Sequence, residues 1–170
     1  MIQTERLVLR PYVMNDLDFM YTKLFSDNDV MRWLLCARAM SKFETTSFLE
    51  KYFPLNFTPY GLGTLCLKST NEKLGYAGII KCPYLNENDF EIGFAIKKDE
   101  WGKGYASEIG LAETDYALNT MKLPRILSLT HPENKVSAHV IRKLGYKFIK
   151  TIQIADRGPR DVYEKTLNLL

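Results

Sequence analysis

Soft metal ligands are scarce in this chain, with three cysteines and two histidines among 170 residues. Cys36, Cys66 and Cys82 are odd in number and far apart, without the paired spacing of zinc sites, and His131 and His139 have no carboxylates at matching intervals. No metal is therefore expected, and the thiols suit a reducing cytoplasm in which they stay free. Long apolar runs are absent, which excludes a membrane-spanning helix, and the opening Met-Ile-Gln-Thr-Glu-Arg lacks the charged-then-apolar layout of a signal peptide. Lysine and arginine do not cluster; a net charge of +3 suits an anionic small ligand and gives no ground for a nucleic-acid partner. Repeats, linkers and low-complexity tracts are missing too, so residues 1–170 are expected to fold as a single domain large enough to bury a real core.

What is present is ordinary globular material, 46% apolar and 25% charged. Alternation over 5–12 predicts a first strand. Asn15 or Asp16 can cap a helix that carries Leu17, Met20, Tyr21 and Leu24 at helical spacing. A short helix is expected from about Asn28 through Leu34. Ser41 and Glu44 form a capping-box pattern opening a helix with Phe48, Leu49, Tyr52 and Phe53. Trp33, Tyr52, Phe53, Phe57 and Tyr60 read most simply as core and loop packing. Strands are predicted over 64–69, 75–82, 90–96, 125–130, 146–155 and 161–168, with helices over 103–121 and 134–144, the second ended by Gly145. The fold class is mixed α/β, with a largely antiparallel sheet and one parallel strand-helix-strand unit at its centre.

That unit organises the chain. Phe90, Ile92, Phe94 and Ile96 alternate with Glu91, Gly93, Ala95 and Lys97, so one strand face is bulky and the other mostly small. Small residues on a strand often mark a place where something approaches the backbone. After Lys-Lys-Asp-Glu comes Trp101-Gly102-Lys103-Gly104-Tyr105-Ala106, whose glycines let a ligand near the backbone just where a helix begins and free N–H groups favour an anion. Two glycines alone would equally serve a tight connection. Gly102-x-Gly104-x-x-Ser107 also approaches a dinucleotide fingerprint, but the next strand ends Leu129-Thr130-His131 with no carboxylate for a ribose, and the repeated strand-helix units are missing. A nicotinamide-dependent oxidoreductase is therefore the weaker alternative.

Joined to Asn134-x-x-Ser137 and Leu144-Gly145, to Glu91-Ile-Gly93 and to the opening Thr4-Glu-Arg-Leu-Val-Leu-Arg-Pro11, the glycine turn resembles the GNAT superfamily of acetyl-CoA-dependent N-acetyltransferases, most closely the RimJ/RimL-type branch. The family pattern Gln/Arg-x-x-Gly-x-Gly/Ala falls on Trp101, Gly104 and Ala106, with Trp101 departing from it. The resemblance implies a cytoplasmic, single-domain GNAT fold that moves acetyl from acetyl-CoA directly to a primary amine, either a protein N-terminus or a small molecule, with a homodimer as a common assembly. It also leaves open a GNAT-like module that holds acyl-CoA without turnover.

The site residues follow from the same resemblance. Backbone groups of Gly102, Lys103, Gly104, Tyr105 and Ala106 would meet the pyrophosphate, and those of Phe94, Ala95 and Ile96 the pantetheine arm. Asn134 would contact pantetheine or the amine, or serve only as a helix cap. Arg142 and Lys143 would reach the 3′-phosphate, or remain solvated. Glu91 is the candidate base, set against a solvated strand glutamate. A base is needed because a peptide α-amine is neutral in only about a tenth of molecules at neutral pH, and a lysine in fewer than about one in a thousand. Relatives outside this branch use a tyrosine to protonate the leaving thiolate; Ile141 stands at that position here, and Ser137 is offered instead as a hydrogen-bond donor. Trp33 and the Asp156–Asp161 turn would wall the acceptor pocket, and His131, just past a strand that should border the cleft, would meet the substrate and assist proton transfer or else be an incidental loop histidine. On helix 134–144, His139 is expected to lie opposite a buried face of Val136, Val140 and Leu144.

Overall fold

A computed structural model describes residues 2–56 and 58–167. Phe57 and the last residue of the strand expected over 161–168 lie outside the described residues. The strands are β1 (Ile2–Gln3), β2 (Leu7–Arg10), β3 (Gly61–Leu67), β4 (Lys73–Lys81), β5 (Phe90–Ile96), β6 (Arg125–Thr130), β7 (Lys147–Ile154) and β8 (Gly158–Thr166). They form one sheet in the order β1-β2-β3-β4-β5-β6-β8-β7. Every neighbouring pair is antiparallel except β5 and β6. Parallel neighbours need a long crossover, and the segment between Ile96 and Arg125 supplies it as a helix, as the sequence predicts. The Asp-Arg-Gly-Pro-Arg turn is tighter than expected, because Gly158, Pro159 and Arg160 already belong to β8.

Helices α1 (Leu17–Met20, continued by a wide turn over Tyr21–Phe25), α2 (Asn28–Met31) and α3 (Lys42–Tyr52) cover one face of the sheet. Ser41 accepts from the Glu44 amide (3.2 Å) and Glu44 from the Ser41 amide (2.8 Å), so the capping box forms. Met20, Leu24, Phe25, Met31, Leu49 and Phe53 pack there with Tyr76 and Ala95. Asp16 does not cap α1 as expected. Its carboxylate is buried and accepts from Arg10 Nη1 (2.7 Å) and Nη2 (2.9 Å) and from Thr64 Oγ1 (2.8 Å), with Lys73 Nζ 3.0 Å away.

The other face carries α4 (Tyr105–Asp115, continued by a wide turn over Tyr116–Thr120) and α5 (Lys135–Lys143). Ile79, Ile92, Ile126, Ile141, Leu144 and Tyr163 form its core. The expected inner face of α5 is met only in part. Leu144 is buried and Val140 partly so, as expected, but Val136 is 77% exposed; Ala138 and Ile141 complete the inward face, because α5 sits rotated relative to the valine stripe. On α4 the line turned fully inward includes Ile109, Gly110, Glu113 and Thr114, and Tyr116 and Met121 beyond them pack partly buried against the core. A Cβ at Gly110 would stand 2.7 Å from Leu144 and 3.2 Å from Phe94, so a missing side chain lets α4 lie this close to the sheet.

That approach encloses Glu113. It is fully buried and neither carboxyl oxygen has a hydrogen-bond partner among the described residues. Burial pushes its pKa well above the ordinary 4.5, against a smaller opposing pull from the Gly78 amide. The unfolded chain releases this proton more readily than the folded one. Stability should therefore be intact below about pH 4.5 and decline as pH rises toward the folded value. Glu113→Gln should flatten that slope, and Glu113→Met should raise stability at pH 8 by about 1–3 kcal/mol. Denaturant melts of the three proteins at pH 5 and pH 8 check this; a parent whose stability does not fall between the two would refute it.

Candidate active site

The glycine turn is built as a closed corner. β5 ends at Ile96, Lys98–Glu100 makes one tight turn, and the Trp101 indole N–H donates to the Ile96 carbonyl (2.7 Å). Trp101 is thus a staple for the corner, and its N–H is already spent. Gly102 (φ 77°) and Gly104 (φ 84°) both occupy the left-handed region that only glycine enters without strain. Gly104 precedes the first residue of α4, and the first main-chain bond onto the helix runs from Glu108 N to Gly104 O (3.1 Å). The amides ahead of Glu108 are left for an anion.

Arg6, given no role from the sequence, fixes this corner from the β1–β2 connection. Its Nε donates to Glu108 (2.6 Å), its Nη1 to the Lys103 carbonyl (3.0 Å), and its guanidinium lies 4.6 Å over the Tyr105 ring. Lys103 pairs with Glu100 at 2.9 Å. Arg142 and Lys143 are exposed in the last turn of α5, about 12 Å along the helix axis from Asn134. The structure therefore places Arg6 at the glycine turn, and the two α5 cations at the far end of their helix.

Beside the corner the sheet opens. β5 and β6 share a single register pair, Glu91 with Leu127, whereas Phe94, Ala95 and Ile96 remain paired with β4. Toward their C-terminal ends the two parallel strands part, leaving the β6-facing edge of Phe94–Ile96 without a strand partner. A Cβ built on Gly93 would meet nothing within 4 Å, so there is open space on the strand face that carries Glu91. At the end of β6 the Thr130 hydroxyl is buried without a hydrogen-bond partner among the described residues.

Glu91 is only 4% exposed, so the solvated-strand alternative is wrong. Arg157 Nη1, from the β7–β8 turn, donates to its Oε1 at 3.3 Å. Burial pushes the Glu91 carboxyl up and the Arg157 guanidinium pulls it back; the net direction is upward. Buried Cys82, close enough to feel Glu91, has its thiol pushed up by burial and is no competitor as a nucleophile.

Trp33 and His131, far apart in sequence, stack at 4.7 Å between ring centroids. Arg32 lies 4.8 Å over the Trp33 ring. Arg160, 1% exposed, ties the Trp33 loop to β8 by donating to the Leu35 carbonyl (2.9 Å). On α5, Asn134 accepts from the Ser137 amide (3.1 Å), so it is a helix cap whatever else it touches, and the Ser137 hydroxyl is uncommitted among the described residues. His139 is exposed, as expected. Arg157 and Arg160 lie in the Asp156–Asp161 turn expected to face the acceptor, but the sequence gives neither arginine a role of its own. Arginine two positions before proline, inside a turn already suspected of facing the acceptor, was the available signal.

A family model for the acetyltransferase (GNAT) domain matches residues 6–147. The chain belongs to the GNAT acetyltransferase family. The protein YkkB of Bacillus subtilis is 32% identical over 95% of this chain and 93% of its own length. The crystal structure of a GNAT-family acetyltransferase from Bacillus anthracis superposes with a TM-score of 0.81 at 26% identity, covering 97% of each chain. A spermidine N-acetyltransferase from Vibrio cholerae, solved with CoA and spermine, has the same fold at a TM-score of 0.76 and 17% identity, covering 96% of both chains. Membership makes this GNAT protein an N-acetyltransferase and displaces the nicotinamide alternative, which the single parallel strand pair also disfavours. No helix among its described residues is long and apolar enough to cross a membrane.

Proposed function

We propose that residues 1–170 form a single catalytic domain that transfers acetyl from acetyl-CoA to a primary amine inside a ternary complex, in the manner of the RimJ/RimL-type branch and in the cytoplasm. The observation that carries this reading is the parted β5–β6 edge lying between an open glycine turn and a buried carboxylate. The pyrophosphate is received by the amides from Gly102 to Ala106, held in place by Arg6 and by the Trp101 staple. Pantetheine lies along the free edge of Phe94–Ile96, which brings the thioester to the space over Gly93. Arg142 and Lys143 keep at most a long-range part in holding the cofactor.

The acceptor nitrogen, between Glu91 and the thioester, attacks the carbonyl carbon. Glu91 takes its proton, directly or through one water, the C–S bond breaks, and the thiolate leaves with a proton delivered by water. Ser137 positions the sulfur or carbonyl; a hydroxyl is too weak an acid to be the proton source. Trp33 and His131 form the acceptor-side wall. The three unpaired thiols of Cys36, Cys66 and Cys82 accord with a reducing compartment.

Thermal unfolding with acetyl-CoA and with free CoA tests the cofactor. At about a hundred times its dissociation constant either should stabilise the fold by roughly 2.7 kcal/mol, a shift of several degrees. Free-thiol release on adding amines or peptide N-termini then tests turnover. Absence of a shift with both CoA forms would defeat the proposal.

A further inference from the structure

The pocket floor around Glu91 holds more positive than negative charge. Two guanidiniums, those of Arg157 and Arg160, stand against one buried carboxylate, with Asp156 exposed on the same turn as the further acid within reach of Arg160. Arg160 is occupied structurally: Nη1 donates to its neighbour's carbonyl at Pro159 (2.7 Å) and Nη2 to Leu35 (2.9 Å). Leu35 (φ 44°) and Ala37 (φ 55°) are non-glycine residues in the left-handed region, a conformation that persists only when surrounding contacts hold it. Arg160 is therefore a positioning residue for the loop that presents Trp33 to His131.

Arg157 is different. Its contact with Glu91, at 3.3 Å, is longer than the about 2.7–2.9 Å usual for charge-assisted N–H···O bonds, and its Nε is buried with no hydrogen-bond partner among the described residues. The Tyr84 side chain is its other polar neighbour: the ring flanks the guanidinium at 5.9 Å and the phenol oxygen helps to hold it charged, but it is not a second carboxylate. A planar guanidinium with one long bond and an unused donor is matched by a second carboxylate, which it can take in bidentate fashion.

We infer that the acceptor is a primary amine bearing a carboxylate close to the amine, as in a free α-amino acid, and that Arg157 binds that carboxylate. The inference rests on the reading of Glu91 as the base of an acetyl transfer. Engagement of Arg157 by the acceptor draws it from Glu91, which leaves the buried carboxylate free to take the ammonium proton as the amine docks. A polycation such as spermidine would instead meet two guanidiniums and is disfavoured by the same charges.

The test uses matched acceptors differing only in the carboxylate: tyrosine against tyramine, and histidine against histamine. Spermidine and a short peptide with an acidic second residue are further arms. Turnover is read as free-thiol release at saturating acetyl-CoA, and binding as calorimetric titration in the presence of CoA. At least a tenfold higher kcat/KM is expected for the carboxylate-bearing member of a pair, and Arg157→Gln should raise its KM tenfold or more while KM for acetyl-CoA stays within twofold. Arg157→Lys, which keeps the charge and loses the fork, should recover only part of the affinity. A peptide preferred over every amino acid would place the carboxylate on a protein acceptor and overturn the small-molecule assignment. Equal or better use of the decarboxylated amines or spermidine, or an acceptor preference unchanged in Arg157→Gln, would overturn the role of Arg157. If CoA binds and no amine turns over, the titrations still decide: carboxylate-dependent binding lost in Arg157→Gln sustains the inference, and its absence ends it. A missing CoA shift, by contrast, strikes the acetyl-transfer reading itself.

Discussion

Glu91→Gln should slow acetyl transfer by about 10²–10⁴-fold, the range over which positioned general bases act, with the CoA-induced thermal shift retained. Glutamine keeps the shape and still offers Arg157 an acceptor oxygen; it loses only the ability to take a proton. In the parent, burial holds the Glu91 carboxyl above its ordinary 4.5 despite the Arg157 contact. Its charged form is therefore lost as pH falls through that raised value, and kcat should fall with it. The variant should lack this acidic limb and follow only the supply of neutral amine, which increases with pH. A variant with parental kcat would remove Glu91 from the chemistry and leave it as a partner for Arg157. Equal loss of activity and of the CoA shift would mean that the pocket had collapsed, a structural role in place of a catalytic one.

Asp16→Asn should be the most destabilising of the conservative changes considered, by about 3–5 kcal/mol, because it removes the negative charge shared by Arg10 and Lys73. Their side chains are 23% and 29% exposed, so solvent compensates them only in part. For a chain of this size the melting temperature should drop by roughly 10 °C. Burial opposes the Asp16 charge, yet bonds from Arg10, Lys73, Thr64 and the Val13 amide outweigh it and hold its pKa below the ordinary 3.8. The sign follows: this stabilisation is present above about 3.8, the unfolded value, and is lost as pH falls toward the lower folded one. Denaturant melts from pH 7 to pH 3 should show a steeper acid decline for the parent than for Asp16→Asn. Asp18→Asn is the control. Asp18 pairs with Lys42 at 2.8 Å with side chains 80% and 57% exposed, and its loss should leave the melt unchanged. An Asp16→Asn melt as unaffected as the control would show the buried cluster to be dispensable.

Much of the architecture is legible in the sequence. Period-two alternation in β5 announced a strand with one small face, Gly102 and Gly104 announced the corner, and the Ser41–Glu44 box opened α3 where expected. These are local signals: each depends on residues within one turn or one strand, and the chain near them has few alternatives. The sequence also supplied the motifs that identified the family, because their spacing is fixed by the same strand-turn-helix geometry.

Local pattern could not supply partners. Glu91 read as ambiguous because its burial depends on helices and a hairpin drawn from both ends of the chain. Val136 looked buried because apolar spacing gives a helix face and not the rotation at which neighbours receive it. Asp16 looked like a cap, since nothing nearby reveals that Thr64 and Lys73 arrive from β3 and β4. Arg157 and Arg160, in a turn expected to face the acceptor, gain individual partners only when the sheet order β6-β8-β7 carries them to the strand that bears Glu91. Backbone conformation is set over a few residues, so the sequence by itself determined the elements and the glycine turn. Charge pairing, burial and hence proton affinity are set by whichever residues the long-range topology brings within a few ångströms, and only the tertiary structure decided those.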